Sequence, residues 1–538
     1  MKSLNRGRAM RKRLIAEAVV LLGLLAPPGA AHSVTWYVDS SVASSGDGSS
    51  WATAFKQIQE GIDASSDGDT VIVAQGTYVE NIHFHGKNIT LRSTDPLDPA
   101  IVAATVIDGH QSGSVVTFEG TETDACTLSG FTVRNGLAES GGGILGGRWD
   151  RQNLARIENN TVEFNRAGAG GGLYLCSGTV RGNIIQNNSA TYGGGLSGCD
   201  GVIEGNFISA NSAFAAQPEP YGEGGGLASC EGEIRHNTIT NNFAGAGGGG
   251  LSRCSGVIED NLISGNRAYE GGGLSYCDAL ILRNRIFRNE AYYGGGLSHC
   301  DLVTGSSLIC GNRAVLGGGL YGENRVHNTV ISANIAHEGG GAWGDDNSGY
   351  NCILWGNVAT EGPQLAGYFK PRFRYSCIEG WSEGGEGNIS LEPMFADPDG
   401  PDDDPDTYED NDYRLLPDSP CIDAGYNGPY YLPRFDLDGN LRVAFGGKSL
   451  TVDMGAYEYS SKPFAVTEVA VISDTALSLT WNSQPNDTYV LWVCTDPVFQ
   501  TWARGATVPS DGATTTFTVV NIAPFPSYQL FRIEMTSP

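Results

Sequence analysis

The sequence predicts an all-β fold: a right-handed single-stranded parallel β-helix of about 23 residues per coil. Three observations predict it. First, a glycine triplet followed by an aliphatic residue recurs, closing at Ile144, Leu173, Leu196, Leu227, Leu251, Leu274, Leu297, Leu320 and Ala342. These positions lie 29, 23, 31, 24, 23, 23, 23 and 22 residues apart, and insertions at 148–153 and 217–222 account for the two long gaps. A short fixed period marks a solenoid. Second, the residues between triplets are β-branched, alternate over short runs and are broken by Gly and Asn, as in Glu259-Asp-Asn-Leu-Ile-Ser-Gly-Asn-Arg-Ala-Tyr-Glu-Gly-Gly-Gly-Leu274. That is strand-and-turn punctuation without a 3.6-residue period. Third, identical residues recur in register, as stacking of coils about 4.8 Å apart requires.

The elements follow in chain order. Residues 1–31 form a signal peptide: Arg11-Lys12-Arg13 precede an apolar run from Leu14 to Ala26, and Gly29-Ala30-Ala31 offers small residues for cleavage. The run is short for a membrane span, and the mature chain is expected to have none. Residues 32–69 form an N-terminal cap, needed because an open β-stack exposes its edge. In it, Trp51, Phe55, Ile58 and Ile62 are spaced as one helical stripe over the first coil. The β-helix occupies 70–390. A C-terminal cap region containing an acidic loop occupies 391–460, and a short all-β module occupies 461–538, where Leu477, Leu479 and Trp481 alternate.

Three columns are read as packing. Asn135, Asn165, Asn188, Asn211, Asn242, Asn266, Asn289, Asn312, Asn334 and Asn357 are expected at turns, tolerating left-handed backbone and bonding the amides above and below. An Ala column follows two residues later, from Ala167 to Ala359. Cys176, Cys199, Cys230, Cys254, Cys277 and Cys300 are expected to be inert buried thiols, because parallel side chains stack without converging on a metal or a bridge.

Removing residues 1–31 leaves 27 basic and 59 acidic residues, a net −32 against −27 for the whole chain. Such a surface excludes nucleic acid and anionic membranes as partners. Candidate ligand residues then fall into three groups. Asp397, Asp399, Asp402, Asp403, Asp404 and Asp406 crowd a Pro/Gly-stiffened loop and make calcium the candidate cofactor, with a solvated acidic linker as the alternative. The loop lacks EF-hand spacing, since Gly400 falls fourth. Asp436 and Asp438 before Gly439 are a smaller version of the same case. Tyr192, Tyr269, Tyr276, Tyr292 and Tyr293 lie near the triplets and are candidates for a glycan-stacking platform. His83 and His85 alternate on one strand face, but the sequence shows no third metal ligand beside them.

Trp36-Tyr-Val-Asp39, Gly46-Asp-Gly-Ser-Ser-Trp51, Val73-Ala-Gln-Gly-Thr-Tyr78 and Thr105-Val-Ile-Asp-Gly109 resemble secreted bacterial proteins of the pectin-lyase-like superfamily. The Gly-Gly-Gly-Leu and Asn-x-Ala repeats are similar to those of polymorphic outer-membrane adhesins. Ser419-Pro-Cys-Ile-Asp-Ala-Gly425 and Asp453-Met-Gly-Ala-Tyr-Glu458 resemble the choice-of-anchor Q region, and 461–538 resembles a fibronectin type III sandwich. The resemblance spans 36–459. It implies a secreted or cell-surface protein. The pectinolytic relatives cleave with carboxylate-held Ca²⁺ and an Arg base, or with paired Asp residues. Of the hydrolase pattern (Asn-Thr-Asp, Asp-Asp, Gly-His-Gly, Arg-Ile-Lys) only Asp345-Asp346 matches a fragment, so no catalytic residue is assigned. The expectation is a monomeric, non-catalytic rod that binds polysaccharide or a cell-surface or matrix component. A polysaccharide lyase or glycoside hydrolase and a calcium-stiffened spacer are the alternatives.

Overall fold

The computed structural model describes residues 33–214, 221–344, 347–368, 372–402, 407–408, 410–428, 432–443, 450–459, 466–473, 476–483, 488–496, 501–510, 514–520 and 530–536. The segment expected to be a signal peptide, Asp345-Asp346, part of the second insertion and parts of several later loops therefore lie outside the described residues.

Each coil contributes one strand to each of three parallel walls. Wall 1 has 14 strands, from Thr35–Val38 to Arg372–Arg374; wall 2 has 13, from Gly76–Val79 to Cys377–Ile378; wall 3 has 12, from Ile82–His83 to Leu365–Ala366. Registers step by one repeat: Ile258 pairs with Ile281 in wall 1, Ile263 with Ile286 in wall 2 and Leu274 with Leu297 in wall 3. Parallel crossovers wind right-handed, so the solenoid is a right-handed parallel β-helix. Its core is these columns together with the six thiols, every one at most 1 % exposed.

The corners explain the repeat. Asp260 and Gly265 carry φ of 54° and 62°, so the left-handed residue is the one before each ladder Asn rather than the Asn itself. The amides form two ladders. In one, Asn266 Nδ2 donates to Ile239 O (2.8 Å) and Asn289 Oδ1 (3.0 Å), while its Oδ1 accepts from Asn242 N and Nδ2. The other runs from Asn160 through Asn183, Asn206, Asn237 and Asn261 to Asn284, where Ser307 takes over. Asn135 is not a rung: Gly136 occupies that register and donates to Asn165, and Asn135 bonds Asp108 instead. In the triplet, Gly271 needs φ of 62°, and a Cβ on Gly273 would lie 2.6 Å from Gly296 O. Backbones of adjacent coils approach too closely there for any side chain.

The eleven cysteines from Cys126 to Cys421 are free and buried. Within the column each thiol donates to the carbonyl two residues back, as Cys254 does to Ser252 O at 3.5 Å. Burial above all for Cys199 and Cys277, and hydrogen bonding with the neighbouring thiols followed by burial for Cys230, raise these groups well above the ordinary thiol range. Alkylation with iodoacetamide is therefore expected to leave Cys176–Cys300 unmodified in the native protein and to label all six after denaturation, as read by mass spectrometry. Modification of any of them in the folded state would contradict a sealed column.

The cap departs from the single helical stripe. A capping box between Gln57 and Glu60 starts the helix at Ile58, and it spans only Ile58–Ala64. Ile58 and Ile62 are buried against the first coil, but Trp51 sits in a separate one-turn helix, Trp51–Thr53, 42 % exposed. Phe55 bridges Val38 and packs on Trp36. Residues of the C-terminal region, including Tyr413, Leu415, Ile422, Met454 and Tyr457, pack on the outer face of wall 2 against Phe287, Leu308, Val330 and Ile353. They cover a flank of the stack. Beyond residue 465, two three-stranded antiparallel sheets share a core of Leu479, Trp481, Tyr489, Leu491 and Val508.

Candidate functional site

The most extensive outward feature is an aromatic corner beside wall 3. The triplet turns the chain so tightly that residues just before it (Tyr269, Glu270) and just after it (Tyr276) leave from the same corner. Parallel stacking then repeats them coil by coil. Tyr269 stacks on Tyr292 (5.4 Å, 15°), Tyr293 meets Tyr321 (4.8 Å), Tyr321 stacks on Trp343 (5.1 Å, 11°), and Trp343 meets Tyr368 edge-on (6.2 Å). A second file, Tyr276 on His299 (4.9 Å, 3°), joins it at Tyr321 (5.6 Å). Four of the five candidate tyrosines belong to this network. Tyr192 does not: its column passes through Glu223, Gly247 and Glu270 before reaching Tyr293, four coils away.

The rings do not lie flat as a platform. Face-to-face stacking along the axis occupies the faces of Tyr269, Tyr276 and Tyr321, and Arg253 covers Tyr276 at 5.7 Å. What reaches solvent is a row of ring edges, with an 88 % exposed Tyr368 at its end. Charged groups line the row. Arg253 grips Glu223 with two bonds (2.6 and 3.1 Å). Burial pushes the Glu270 carboxyl up, but bonds from His299 and Ser298 outweigh it and leave the group below its ordinary range. Burial, with the Glu270 charge behind it, raises the Tyr276 phenol.

Ser298, His299 and Glu270 contain the residue types of a catalytic triad without its geometry. Ser298 Oγ (3.0 Å) and Glu270 Oε1 (2.9 Å) both sit on His299 Nδ1. Nε2 faces the Gly322 backbone, where a Cβ would lie 2.4 Å away. A relay needs the nucleophile on one ring nitrogen and the carboxylate on the other.

A second feature is a cleft of about 430 Å³ on wall 1, lined by Arg325, His327, Tyr350, Arg374, Glu386 and Tyr426 among others. Its guanidiniums are paired, Arg325 with Asp301 (3.3 Å) and Arg374 with Glu386 (3.5 Å), and Arg374 also donates to the Tyr350 hydroxyl (3.0 Å). His327 lies buried between them, its Nδ1 without a hydrogen-bond partner.

Of the acidic loop, Asp403, Asp404 and Asp406 lie outside the described residues. Asp397 ends a short strand, Phe395–Asp397, opposite Asp412, Asp399 is half-buried in the following turn, and Asp402 accepts from Thr407 Oγ1 at 2.9 Å. Asp436 and Asp438 have structural partners: buried Asp436 accepts from the backbone of Asp438, Asn440 and Glu458, and Asp438 is bound by Arg414.

Sequence reasoning missed His299, Tyr321, Trp343 and Tyr368. A signal was present for two of them. The second residue of the wall 3 strand is Ser or Ala in the coils from Leu196 to Ser298, then becomes Tyr321 and Trp343.

No family model matches the sequence, and no curated protein does. Among solved structures the chain is similar to the crystal structure of pectate lyase Pel9A, with 13% identity over 80% of this chain and 98% of that one and a TM-score of 0.33. It is also similar to XylC in its complex with xylose, with 10% identity over 90% and 100% of the two chains and a TM-score of 0.28. What the registers of the three walls establish independently is the fold, a parallel β-helix.

Proposed function

We propose that the protein is a secreted, non-catalytic glycan-binding rod, and that the aromatic corner of wall 3 is its contact surface. The carrying observation is the unbroken ring network from Tyr269 to Tyr368, edged by tyrosine hydroxyls and by Glu270, Arg253 and Glu338. Ring edges and hydroxyls offer hydrogen bonds to sugar hydroxyls, and Tyr368 offers an open face for a pyranose. Four coil steps of about 4.8 Å give a contact of roughly 19 Å, enough for an extended chain lying along the rod.

The test is retention of the purified protein on a panel of polysaccharides, with and without calcium, scoring bond cleavage in parallel. Calcium is included because the loop around Asp397, Asp399 and Asp402 is proposed as a calcium ligand set that could gate binding of acidic glycans to this acidic rod. The expected result is retention without cleavage. The double variant Tyr293→Ala/Trp343→Ala should weaken it by roughly thirty-fold or more, the loss of two aromatic contacts. Cleavage, or retention indifferent to both substitutions, would sink this reading. Cleavage abolished by Arg374→Ala would instead support the second reading, a polysaccharide lyase or hydrolase acting in the wall 1 cleft, which the two arginines and buried His327 favour.

A further inference from the structure

At the opposite end of the rod, where the cap helix meets the first two coils, the fold supplies what the His83/His85 pair lacks in sequence. His83 ends the first strand of wall 3, Ile82–His83, and pairs with Thr117 one coil later. Pairing continues through Phe84, whose N–H donates to Thr117 O at 3.0 Å, and this register sets Glu119 beside His85. The two imidazoles lie nearly parallel, 20° apart with centroids 5.4 Å apart. The cap helix closes the group from the side. Gln59 exchanges bonds with the His83 backbone (2.8 and 3.1 Å) and donates to Asp63 Oδ1 (2.8 Å), which sits 3.8 Å from His85 Nε2.

We propose that His83, His85 and Glu119, with Asp63 as a further ligand, form a binding site for a divalent transition metal, zinc being the expected occupant. One ligand atom from each of His83, His85 and Glu119 lies within 4.8 Å of the others, the one such group of three among the described residues. His83 Nδ1 stands 3.9 Å from Glu119 Oε1, too far for a hydrogen bond. Two ligands on one ion with bonds near 2.1 Å sit about 3.0–3.5 Å apart, so a small inward rotation of these surface side chains completes the geometry. His83 Nδ1 is shielded from solvent and bonds to nothing, an imidazole nitrogen placed toward the cluster without a proton partner. The donor set decides the metal class. Two imidazoles with carboxylates suit zinc and its first-row neighbours, whereas calcium takes oxygen ligands alone. The ligands come from the cap helix, the first coil and the second coil, so the bound ion would clamp the cap onto the stack.

The experiment uses the untagged full chain, dialysed against chelator, then titrated with ZnCl₂ by calorimetry and with CoCl₂ by visible absorption. Expected are one tight equivalent, a cobalt d–d band, and a rise in the unfolding temperature of the cap with zinc by mass action. His85→Ala, at an exposed position, and Glu119→Gln should each weaken that equivalent by more than about a hundred-fold, while Glu361→Gln, an exposed carboxylate at the far end of the stack, should leave it unchanged. Absence of a tight equivalent, or zinc binding that survives both His85→Ala and Glu119→Gln, would overturn the proposal and assign the uptake to the acidic surface at large.

Discussion

Replacing Asn266 by leucine should cost about 4 kcal/mol, the largest effect of any single substitution considered for this protein. The side chain is fully buried and makes four bonds: it donates to Ile239 O and Asn289 Oδ1 and accepts from Asn242 N and Nδ2. Leucine keeps the branched four-heavy-atom skeleton of the side chain, so the main loss is polar. It strands the Asn242 backbone N–H and one Nδ2 hydrogen of the same residue, each costing about 1–3 kcal/mol when buried without a partner, while Asn289 Oδ1 keeps the Asn266 N–H and Ile239 O keeps its place in the strand ladder. The damage should stay local, since each coil of a solenoid touches mainly its neighbours. Hydrogen exchange would therefore show lost protection around Asn242, Asn266 and Asn289, with the cap unaffected. Asn284→Ser should be milder, because Ser307 already fills the next rung of the second ladder and its Oγ accepts from Asn284 N at 3.1 Å. A loss under about 1 kcal/mol for Asn266→Leu would mean that the ladder is not what holds the corner.

The ladders also show what the sequence could and could not disclose. Periodicity exposed the rungs because each coil must solve the same problem: two corners whose inward N–H and C=O groups need partners. The same logic exposed the thiol column and the triplets. The one false rung, Asn135, arose because counting residues ignores the register shift at the first regular coil, where Gly136 takes the position. The αL residues were misplaced by one because an outward residue bends the chain so that the next Asn can point inward; Phe164, Ala210 and Arg288 do this as readily as Asn187. Glu119 was invisible, and the Tyr321 and Trp343 signal hard to interpret, for a different reason. Each acquires its meaning from a residue one coil away, 22 to 36 positions distant in the chain, and only the register brings them together. The cover on wall 2 was hidden likewise, in apolar outward residues such as Phe287 and Leu308 that lie among the inward ones.

The wall 1 cleft makes the second large prediction, a pH-dependent one. Burial, with Arg325 as a second cause, lowers the His327 imidazole to about 4 from an ordinary 6.5. Between those values the unfolded chain binds a proton that the folded state refuses, so stability rises with pH across the window and falls on acidification. At 1.36 kcal/mol per unit, passing from pH 6.5 to 4 should remove about 3 kcal/mol. Arg325, Arg374 and Tyr350 around the ring offer the imidazolium no carboxylate in contact, since Asp301 and Glu386 are held by the two arginines. The overall pH profile will not display this cleanly. Burial raises Asp453, in the C-terminal region, to about 7, and a raised carboxyl has the opposite sign, losing stability as pH rises from about 4 to 7. The difference between wild type and His327→Phe removes that term, because Asp453 titrates in both. That difference, read from hydrogen-exchange protection of the strands Arg325–His327 and Ser348–Tyr350, should swing by about 3 kcal/mol against the wild type between pH 6.5 and 4. A flat difference would show that His327 takes up its proton inside the fold. The cleft would then present a third cation beside Arg325 and Arg374 at mildly acid pH, and an anionic substrate there would bind more tightly as pH falls.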